Sequence, residues 1–263
     1  MNNIRYCVIT VITNNYDILR DPLTIDDNAD YFILTDNKDM KYDHYQTIYV
    51  KDVDNNHMSG VQKMLIIKYT FYKYIPELCK YDYIVFMDAS IQICKSLNPI
   101  INYLHNNKYD LSIGVHPIRE YFDDEYNTWI SERKLDTLYM NLFFDSIKDY
   151  DYKNINGLCE TSIKFFSNTK NVLNFIDDIH NFMTYVCDNK DLNDQCYFTY
   201  ILYKYIDKLR INYHSAKLYR NSDYMKMYCH NSSYLQPFEL TMYDDNDIKK
   251  FLGKLIKIHN NYK

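Results

Sequence analysis

The chain has 263 residues, of which 47% are hydrophobic and 25% charged, and its formal net charge is −5 at pH 7. This composition is typical of a globular protein and excludes disorder as the main state. A weakly acidic chain also lacks the positive charge of a protein that binds DNA or RNA non-specifically. We expect one domain over residues 1–263.

The N-terminal third alternates strands with turns. A β-branched, almost continuously apolar run at residues 5–13 predicts a central strand buried on both faces of a largely parallel sheet. Apolar runs at residues 31–34 and 45–50 predict two more strands. Ser59 and Gly60 begin a predicted helix that ends near Pro76. Lys68 falls on the apolar face of that helix, either as a snorkelling stem or as a partner for phosphate or carboxylate.

Strands and helices continue to alternate along the rest of the chain. Apolar runs predict strands at residues 83–87, 111–115 and 162–166, with shorter segments at 91–94, 211–213 and 225–228. Helices are predicted at residues 129–147, 169–186, from Asn193 or Asp194 to 209, and at 245–258. This alternation predicts the α/β class, with a central, mostly parallel mixed sheet and helices on both faces.

The cysteines and the apolar stretches indicate the cellular compartment of the protein. Its seven cysteines are scattered without a Cys-x-x-Cys pair, which favours reduced thiols in the cytoplasm. No apolar stretch reaches the ~20 residues that cross a bilayer, and the N-terminal run is too short for a signal peptide. We therefore expect a soluble cytoplasmic chain. The 30 tyrosines and the other enriched residue types have AT-rich codons, so we attribute the bias mainly to the genome, and a giant virus is one source of such a genome.

Asp88 is the strongest candidate for a residue of a ligand-binding or metal-binding site. It follows the strand at residues 83–87, and ligands of open α/β sheets bind beyond the carboxyl ends of the strands. The Asp88 carboxylate and the Ser90 hydroxyl have a spacing that can hold a divalent cation, which would bridge the protein to a nucleotide diphosphate. The alternative is that Asp88 only caps the turn after its strand.

The segment around Asp88 resembles a known family. Residues 82–93 (DYIVFMDASIQI) are similar to the strand and Asp-x-Asp motif of GT-A glycosyltransferases, and especially to the group once called domain of unknown function 616. Further similar segments lie at residues 8–16, 31–36, 60–63, 116–119 and 193–195. The resemblance covers roughly residues 5–200. It implies a single GT-A-type, Rossmann-like domain with a nucleotide-binding part at about 1–115 and an acceptor-side part at about 116–263.

The resemblance also implies roles for single residues. The nucleotide-sugar set is Thr10, Asn14, Asp36, Lys63, Lys68, His116 and Arg119. Within it, Asp36 and the turn at residues 10–14 would face the base and ribose, and Lys63 or Lys68 would meet the diphosphate or the donor sugar. The metal set is Asp88, Ser90 and His230, with His214 as the alternative histidine.

Three residues are candidates for the chemical step. Asp194 and Gln195 would act on the transferred sugar, as the similar pair of family-8-type enzymes does, although Asp194 can equally be an N-cap. Glu160 is a candidate base for an acceptor hydroxyl. The alternative is that Glu160 is only a charged residue on the surface of a helix, because a single sequence does not distinguish the two roles.

The predicted function is that of a hexosyl or pentosyl transferase. It would move a sugar from a nucleoside-diphosphate sugar, with a UDP-sugar favoured, to a glycan or protein hydroxyl, assisted by Mn²⁺ or Mg²⁺. The alternative is a non-catalytic module that binds sugar or nucleotide, because Asp88-Ala-Ser supplies one carboxylate where many GT-A enzymes have two. A nucleotidyltransferase would need a phosphate loop near the first strand, and residues 13–16 do not resemble one.

Overall fold

The computed structural model describes residues 4–53, 58–117, 119, 121–128, 137–148, 157–187, 194–220, 222–230 and 232–234. The strands in these ranges are β1 (Tyr6–Ile12), β2 (Ala29–Thr35), β3 (Gln46–Tyr49), β4 (Tyr83–Met87), β5 (Ile91–Ile93), β6 (Leu111–Val115), β7 (Cys159–Ser167), β8 (Ile211–His214) and β9 (Met225–Met227). The helices are α1 (Gly60–Thr70), α2 (Asn98–Asn106), α3 (Phe122–Thr128), α4 (Thr137–Ser146), α5 (Lys170–Cys187) and α6 (Asp194–Tyr205).

A seven-stranded mixed sheet has the order β3-β2-β1-β4-β7-β6-β8. Strands β1 to β4 are parallel to one another, and β8 is parallel to β6. Strand β7 is antiparallel to both of its neighbours, β4 and β6, so six strands share one direction and β7 alone is reversed. A separate antiparallel pair joins β5 to β9. The predicted α/β class with a mostly parallel mixed sheet is confirmed.

Both faces of the sheet are buried. Successive side chains of a strand point to opposite faces, and Cys7 and Ile9 of β1 belong to one apolar cluster while Tyr6 and Val8 belong to another. The first cluster includes residues of α1, α5 and α6, and the second includes residues of α2 and of the β5–β9 pair. Helices therefore cover both faces, as the sequence predicts.

Helix α1 has a complete N-terminal cap. The Ser59 hydroxyl accepts from the Gln62 N–H at 3.1 Å, and the Gln62 side chain accepts from the Ser59 N–H at 2.8 Å. This reciprocal pair satisfies two of the donors that a helix start leaves open. The helix ends at Thr70, and a 3-10 turn over Phe71–Lys73 follows it, so the regular helix is shorter than the stretch predicted to end near Pro76.

Several predicted boundaries change in the structure. The strand predicted at 162–166 is longer, and the helix predicted to run to 209 ends at Tyr205. Helices α2 and α3 were not predicted. Asn193, residues 129–136 and the predicted helix 245–258 lie outside the described residues. The cysteines whose side chains are described are free thiols, and no helix within the described ranges has the length and hydropathy of a membrane span.

Candidate functional site

The carboxyl ends of the parallel strands gather the candidate polar residues at one edge of the sheet. Asp36 directly follows β2, and Asp88 directly follows β4. Because β7 is reversed, its first residues reach the same edge, and the Asp88 N–H donates to the Ser162 carbonyl at 2.8 Å. Glu160 is the second residue of β7. Sequentially distant acids therefore share one edge.

Asp36 and Lys63 form a buried ion pair beside the turn after β1. The Lys63 Nζ lies 2.9 Å from the Asp36 Oδ2, and each side chain is 7% exposed. The Asn14 N–H donates to the other Asp36 oxygen at 3.0 Å. Asn14 has a left-handed φ of 51°, which asparagine tolerates better than most residues. A Cβ at Gly60 would lie 2.8 Å from the side-chain nitrogen of Asn14, so any larger residue at position 60 would displace the Asn14 side chain.

Lys68 links two carboxylates in the centre of the edge. Its side chain is 3% exposed, and its Nζ lies 2.8 Å from the Asp194 Oδ2 and 3.7 Å from the Asp88 Oδ1. Burial lowers the pKa of Lys68, but Asp194 and Asp88 outweigh that effect and raise it above its ordinary value. Burial likewise raises the pKa of Asp88, against the opposing effect of Lys68. The Asp88 side chain is 31% exposed, so solvent and ligands can reach it.

Asp194 is held from several sides. In addition to Lys68, it accepts hydrogen bonds from the Tyr69 hydroxyl and, at 2.9 Å, from the Thr161 hydroxyl. Burial opposes ionisation of Asp194, but Lys68 and Lys164 lower its pKa to about 2. An ionised carboxylate with three donors is a fixed anchor for Lys68. Asp194 is also the first residue of α6, where the positive end of the helix dipole favours an acid.

Lys164 is a second buried lysine, which the sequence analysis missed. It lies in β7, is 1% exposed, and donates to the Thr161 carbonyl at 2.6 Å. Its Nζ also lies 4.6 Å from the centre of the Phe86 ring. Burial, and then the neighbouring Lys68, lower the pKa of Lys164 well below its ordinary value. The only signal in the sequence is a lysine within the apolar stretch SIKFF.

Glu160 forms a separate cluster on the β6 side of the edge. Its Oε1 accepts from the Ser162 N–H at 3.2 Å, from the Ser162 hydroxyl at 2.5 Å and from the Gln195 amide at 3.5 Å. Its Oε2 lies 3.8 Å from the His116 Nε2 and 3.7 Å from the Arg220 Nη2. Burial, reinforced by Arg119 and Arg220, lowers the pKa of His116 to about 2, so this imidazole is neutral.

Two other residues of the nucleotide-sugar set are not at this point of the edge. Thr10 lies inside β1 with no exposed surface, and its hydroxyl has no hydrogen-bond partner among the described residues. The Arg119 guanidinium pairs with Glu125 of α3, while the backbone N–H of Arg119 donates to the His116 Nδ1 at 2.9 Å. Arg119 therefore positions His116 through its backbone.

Two of the metal candidates, Ser90 and His230, belong to chain segments that lie side by side. The Tyr228 N–H donates to the Ser90 carbonyl at 2.9 Å, which brings the chain before His230 alongside Ser90. The His230 Nδ1 lies 2.7 Å from an Asp17 oxygen, and its side chain is 46% exposed. The Ser90 hydroxyl is buried without a hydrogen-bond partner in the described part of the chain. No group of three His, Cys, Asp or Glu side chains that could hold a metal is found in that part.

His214, the alternative metal histidine, lies in β8, three strands from β4 in the sheet order. Its Nδ1 is 3.0 Å from the Ser112 hydroxyl, and burial lowers its pKa to about 3. The three intervening strand spacings of about 4.8 Å each place it far from Asp88.

A cavity of about 780 Å³ lies at the opposite end of β4, where Asp82, Tyr109 and Asn168 contribute to its lining. The fold already uses its polar groups. The Asn168 amide donates to two backbone carbonyls, and Asp110 accepts from the Ser167 hydroxyl and the Arg210 N–H. The convergent charges therefore mark the other edge as the candidate site.

Comparisons with known proteins give distant structural similarities. The mannosyltransferase Ktr4p of S. cerevisiae is 10% identical, with a TM-score of 0.47, over 97% of this chain and 82% of that one. Core-mannan synthase A of Aspergillus fumigatus, in an Mn/GDP form, is 9% identical, with a TM-score of 0.49, over 97% and 85%. The galactosyltransferase LgtC, in complex with donor and acceptor sugar analogs, is 12% identical, with a TM-score of 0.46, over 95% of each chain.

The sequence matches no protein-family model and no curated protein. The three solved structures are glycosyltransferases, but identities of 9–12% with TM-scores below 0.5 assign neither activity nor substrate to this chain.

Proposed function

We propose that the protein is a GT-A-type glycosyltransferase that moves a hexosyl or pentosyl group from a nucleoside-diphosphate sugar to a hydroxyl of a glycan or protein. We favour a UDP-sugar as the donor. One observation carries the proposal: Asp36 and Asp88, each paired with a buried lysine of α1, lie at the carboxyl ends of β2 and β4, the two parallel strands that flank β1. This edge is where open α/β sheets bind ligands, and the described polar groups converge there.

The pair of Asp36 and Lys63 is proposed to bind the nucleoside end of the donor. Each oxygen of an ionised carboxylate has two lone pairs. The Asp36 Oδ1 accepts from the Asn14 N–H, while the Oδ2 accepts from Lys63 and from the side-chain amide of Asn14. The second lone pair of the Oδ1 can accept from a ribose hydroxyl. Asn14 fixes the carboxylate from the turn after β1.

The charge around Asp88 favours a divalent cation as a partner of the diphosphate. Asp88, Asp194 and Glu160 face two cations, Lys68 and Arg220, while the pKa of the buried Lys164 is lowered well below its ordinary value. This group has no surplus positive charge to neutralise a diphosphate.

The chain's own groups fit such an ion. The partly exposed Asp88 carboxylate and the unpartnered Ser90 hydroxyl are oxygen donors of the kind that Mg²⁺ and Mn²⁺ prefer. Mg²⁺ typically takes one or two carboxylates and completes its shell with phosphates and water. When bound, the cation would stabilise the charge on the leaving diphosphate. We retain His230 as a proposed ligand because of its place beside Ser90.

The proposed reaction uses the remaining residues in different ways. Asp194 holds Lys68 next to Asp88, so that the ammonium faces the donor phosphates or sugar. Gln195 holds the Glu160 carboxylate through its amide. Glu160 then accepts the proton of the acceptor hydroxyl as a general base.

The test is a thermal-shift panel of UDP-, GDP- and CMP-sugars with Mn²⁺ or with chelator. A ligand that binds only the folded state raises the melting temperature. We expect a UDP-sugar to give the largest rise, and we expect Mn²⁺ to increase it.

In calorimetry, Asp88→Ala should remove the effect of Mn²⁺ on nucleotide affinity, while Asp223→Ala, which removes an exposed carboxylate paired with Lys95, should retain it. Equal affinity of the wild type with metal and with chelator would reject the metal.

The single carboxylate of Asp88-Ala-Ser favours a second candidate, a non-catalytic module that binds sugar or nucleotide at the same site. Slow hydrolysis of the donor by water separates the two functions. Hydrolysis that Asp88→Ala abolishes would support the transferase. Nucleotide binding without hydrolysis or transfer to any glycan would support the binding module.

A further inference from the structure

Buried polar atoms without partners cluster around Glu160. Among the described residues, the Tyr219 hydroxyl, the Arg220 Nε and the His214 Nε2 are buried and have no hydrogen-bond partner. The Arg220 Nη2 lies 3.7 Å from the Glu160 Oε2, beyond hydrogen-bond distance, and the Arg220 Cζ lies 6.0 Å from the centre of the Tyr219 ring. Buried polar groups in folded proteins almost always have partners. Such a group of orphaned atoms therefore indicates hydrogen-bonding groups from outside the protein.

The backbone holds Tyr219 and Arg220 at the candidate edge. Strand β8 runs parallel to β6, so the segment after His214 begins at the carboxyl edge. A 3-10 turn over Ala216–Leu218 follows, and the N–H groups of Tyr219 and Arg220 both donate to the Ala216 carbonyl, at 3.2 and 3.0 Å. The Arg220 side chain is 17% exposed, whereas Glu160 is 5% exposed. Arg220 is thus the more accessible member of this pair.

The charges of this cluster favour a neutral ligand. The Glu160 carboxylate and the Arg220 guanidinium balance each other, and His116 is neutral because burial lowers its pKa to about 2. The neighbouring Asp88, Lys68 and Asp194 add one negative charge overall. An anionic group would meet no net positive charge here. Neutral hydroxyls, in contrast, can donate to the carboxylate and accept from the guanidinium.

We propose that Glu160, Tyr219 and Arg220 form an acceptor subsite for the neighbouring hydroxyls of a neutral sugar. One hydroxyl donates to the Glu160 Oε2, and the next accepts from the Arg220 guanidinium and exchanges a hydrogen bond with Tyr219. The inference rests on the proposed transferase function, and it names a neutral polyhydroxylated acceptor as the substrate class. Arg220 and Tyr219 are specificity residues that the sequence analysis did not single out.

The test combines acceptor binding with two measurements that need no acceptor. Saturation-transfer NMR titrations with methyl glucoside and methyl galactoside give acceptor affinity, and methyl glucuronide is the anionic comparison. Calorimetry with the nucleotide and donor hydrolysis by water report the donor site. Arg220→Met should weaken neutral glycoside binding by roughly tenfold or more. Its effect on nucleotide affinity should be smaller than its effect on glycoside affinity, and Arg220→Lys should recover part of the glycoside binding.

Tyr219→Phe is the milder variant, because it removes one oxygen from a hydroxyl with no partner among the described residues. We expect a severalfold loss of glycoside affinity without a fall in melting temperature. Tyr45→Phe is the matched control, since the Tyr45 hydroxyl is also buried and unpartnered but precedes β3 at the other end of the sheet. This control should leave glycoside affinity unchanged.

Three results would overturn the subsite. The first is unchanged glycoside affinity in Arg220→Met and Tyr219→Phe, which would mean that water satisfies these atoms. The second is a loss of nucleotide affinity as large as the loss of glycoside affinity, and the third is tighter binding of the glucuronide than of the neutral glycosides. A wild type that neither binds nor hydrolyses any sugar nucleotide would instead reject the transferase. The NMR titration would still decide the subsite, because glycoside binding lost in Arg220→Met needs no donor.

Discussion

At the scale of single residues, the candidate site depends on paired buried charges. Asp36 with Lys63, and Asp194 with Lys68, are buried ion pairs whose oxygens accept further hydrogen bonds from neighbouring groups. Removing one partner of such a pair leaves an uncompensated charge, whereas removing both is far less costly. The pairs can therefore be tested for stability separately from their use in binding.

We predict that Lys63→Met lowers the free energy of unfolding by about 3–5 kcal/mol, because it leaves Asp36 buried and unpaired. The double variant Lys63→Met with Asp36→Asn should recover most of that loss. If Asp36 also binds the nucleoside, the double variant should remain deficient in nucleotide binding. Urea unfolding and calorimetry measure the two effects. A single variant as stable as the wild type would contradict the buried-pair interpretation.

The buried neutral histidines predict a loss of stability in mild acid. Burial lowers the pKa of His214 to about 3 and that of His116 to about 2. In the unfolded chain a histidine takes up a proton near pH 6.5, so stability is complete above that pH and falls as the pH is lowered. Each histidine should cost about 1.4 kcal/mol per pH unit between pH 6 and 4.

Urea unfolding at pH 7, 6, 5 and 4 checks this slope. His214→Gln should reduce the slope by about one histidine's share. His105→Gln, at an exposed position of α2, should leave it unchanged. Equal slopes for the wild type and His214→Gln would show that His214 is protonated in the folded state.

The sequence located part of the site at this scale because strand ends are readable in an apolar pattern. Asp36 and Asp88 each follow an apolar run in the sequence, and the structure places them at the carboxyl ends of β2 and β4, on either side of β1. Lys164 and Arg220 were missed because a residue's partner across the fold leaves no mark on the local pattern. The pairing of His230 with Asp17 was missed for the same reason.

At the scale of elements, helix α1 carries both lysines that face the acids. Lys63 lies in its first turn and reaches Asp36, while Lys68 lies in its last turn and reaches Asp88 and Asp194. The Thr13 hydroxyl donates to the Gly60 carbonyl at 2.7 Å and ties the helix start to the turn after β1. The position of α1 therefore sets both halves of the candidate site.

We predict that Ser59→Ala lowers the free energy of unfolding by about 1 kcal/mol through loss of the cap of α1. Ser59→Asp should retain most of the stability, because an aspartate accepts the same N–H and suits the helix dipole. Ser215→Ala is the comparison, since it removes a cap from a 3-10 turn of three residues and should cost less. Equal losses in both alanine variants would show that the cap of α1 has no special weight.

The sequence did not predict that β7 runs in the opposite direction to the other strands of the sheet. Its buried apolar residues are typical of a central strand of either direction, because a strand covered on both faces shows no alternation. Its direction nonetheless decides which end of the strand reaches the site. An ordinary parallel β7 would have placed Glu160 at the opposite edge, away from Asp88.

At the scale of the whole molecule, three lysines among the described residues are buried: Lys63, Lys68 and Lys164. Lys164 lies in the central sheet, donates to one backbone carbonyl and lies next to the ammonium of Lys68. Replacing a buried charged group with an apolar side chain of similar volume often stabilises a protein. A residue that costs stability and lies beside a cluster of buried acids is typical of a functional site.

We predict that Lys164→Met raises the free energy of unfolding at pH 7. The pKa of Lys164 is lowered in the folded state, so folding is penalised below the ordinary lysine pKa and the penalty disappears as the pH approaches about 10.4. The advantage of Lys164→Met should therefore shrink from pH 7 to pH 10 in urea unfolding. Lys204→Met, at an exposed position of α6, should show no such change. A destabilised Lys164→Met would mean that the fold depends on this ammonium.

The strand order also constrains how the chain can be synthesised. Strand β6 pairs only with β7 and β8, both of which leave the ribosome after it, and one edge of β4 stays open until β7 arrives. The nascent chain thus passes through a stage with unpaired strand edges, which are sites of aggregation. Strand β7 must then enter between two strands that already exist. A ribosome that pauses before Cys159 would hold the chain with these edges of β4 and β6 unpaired, whereas synthesis of residues 159–167 allows β7 to join β4 to β6.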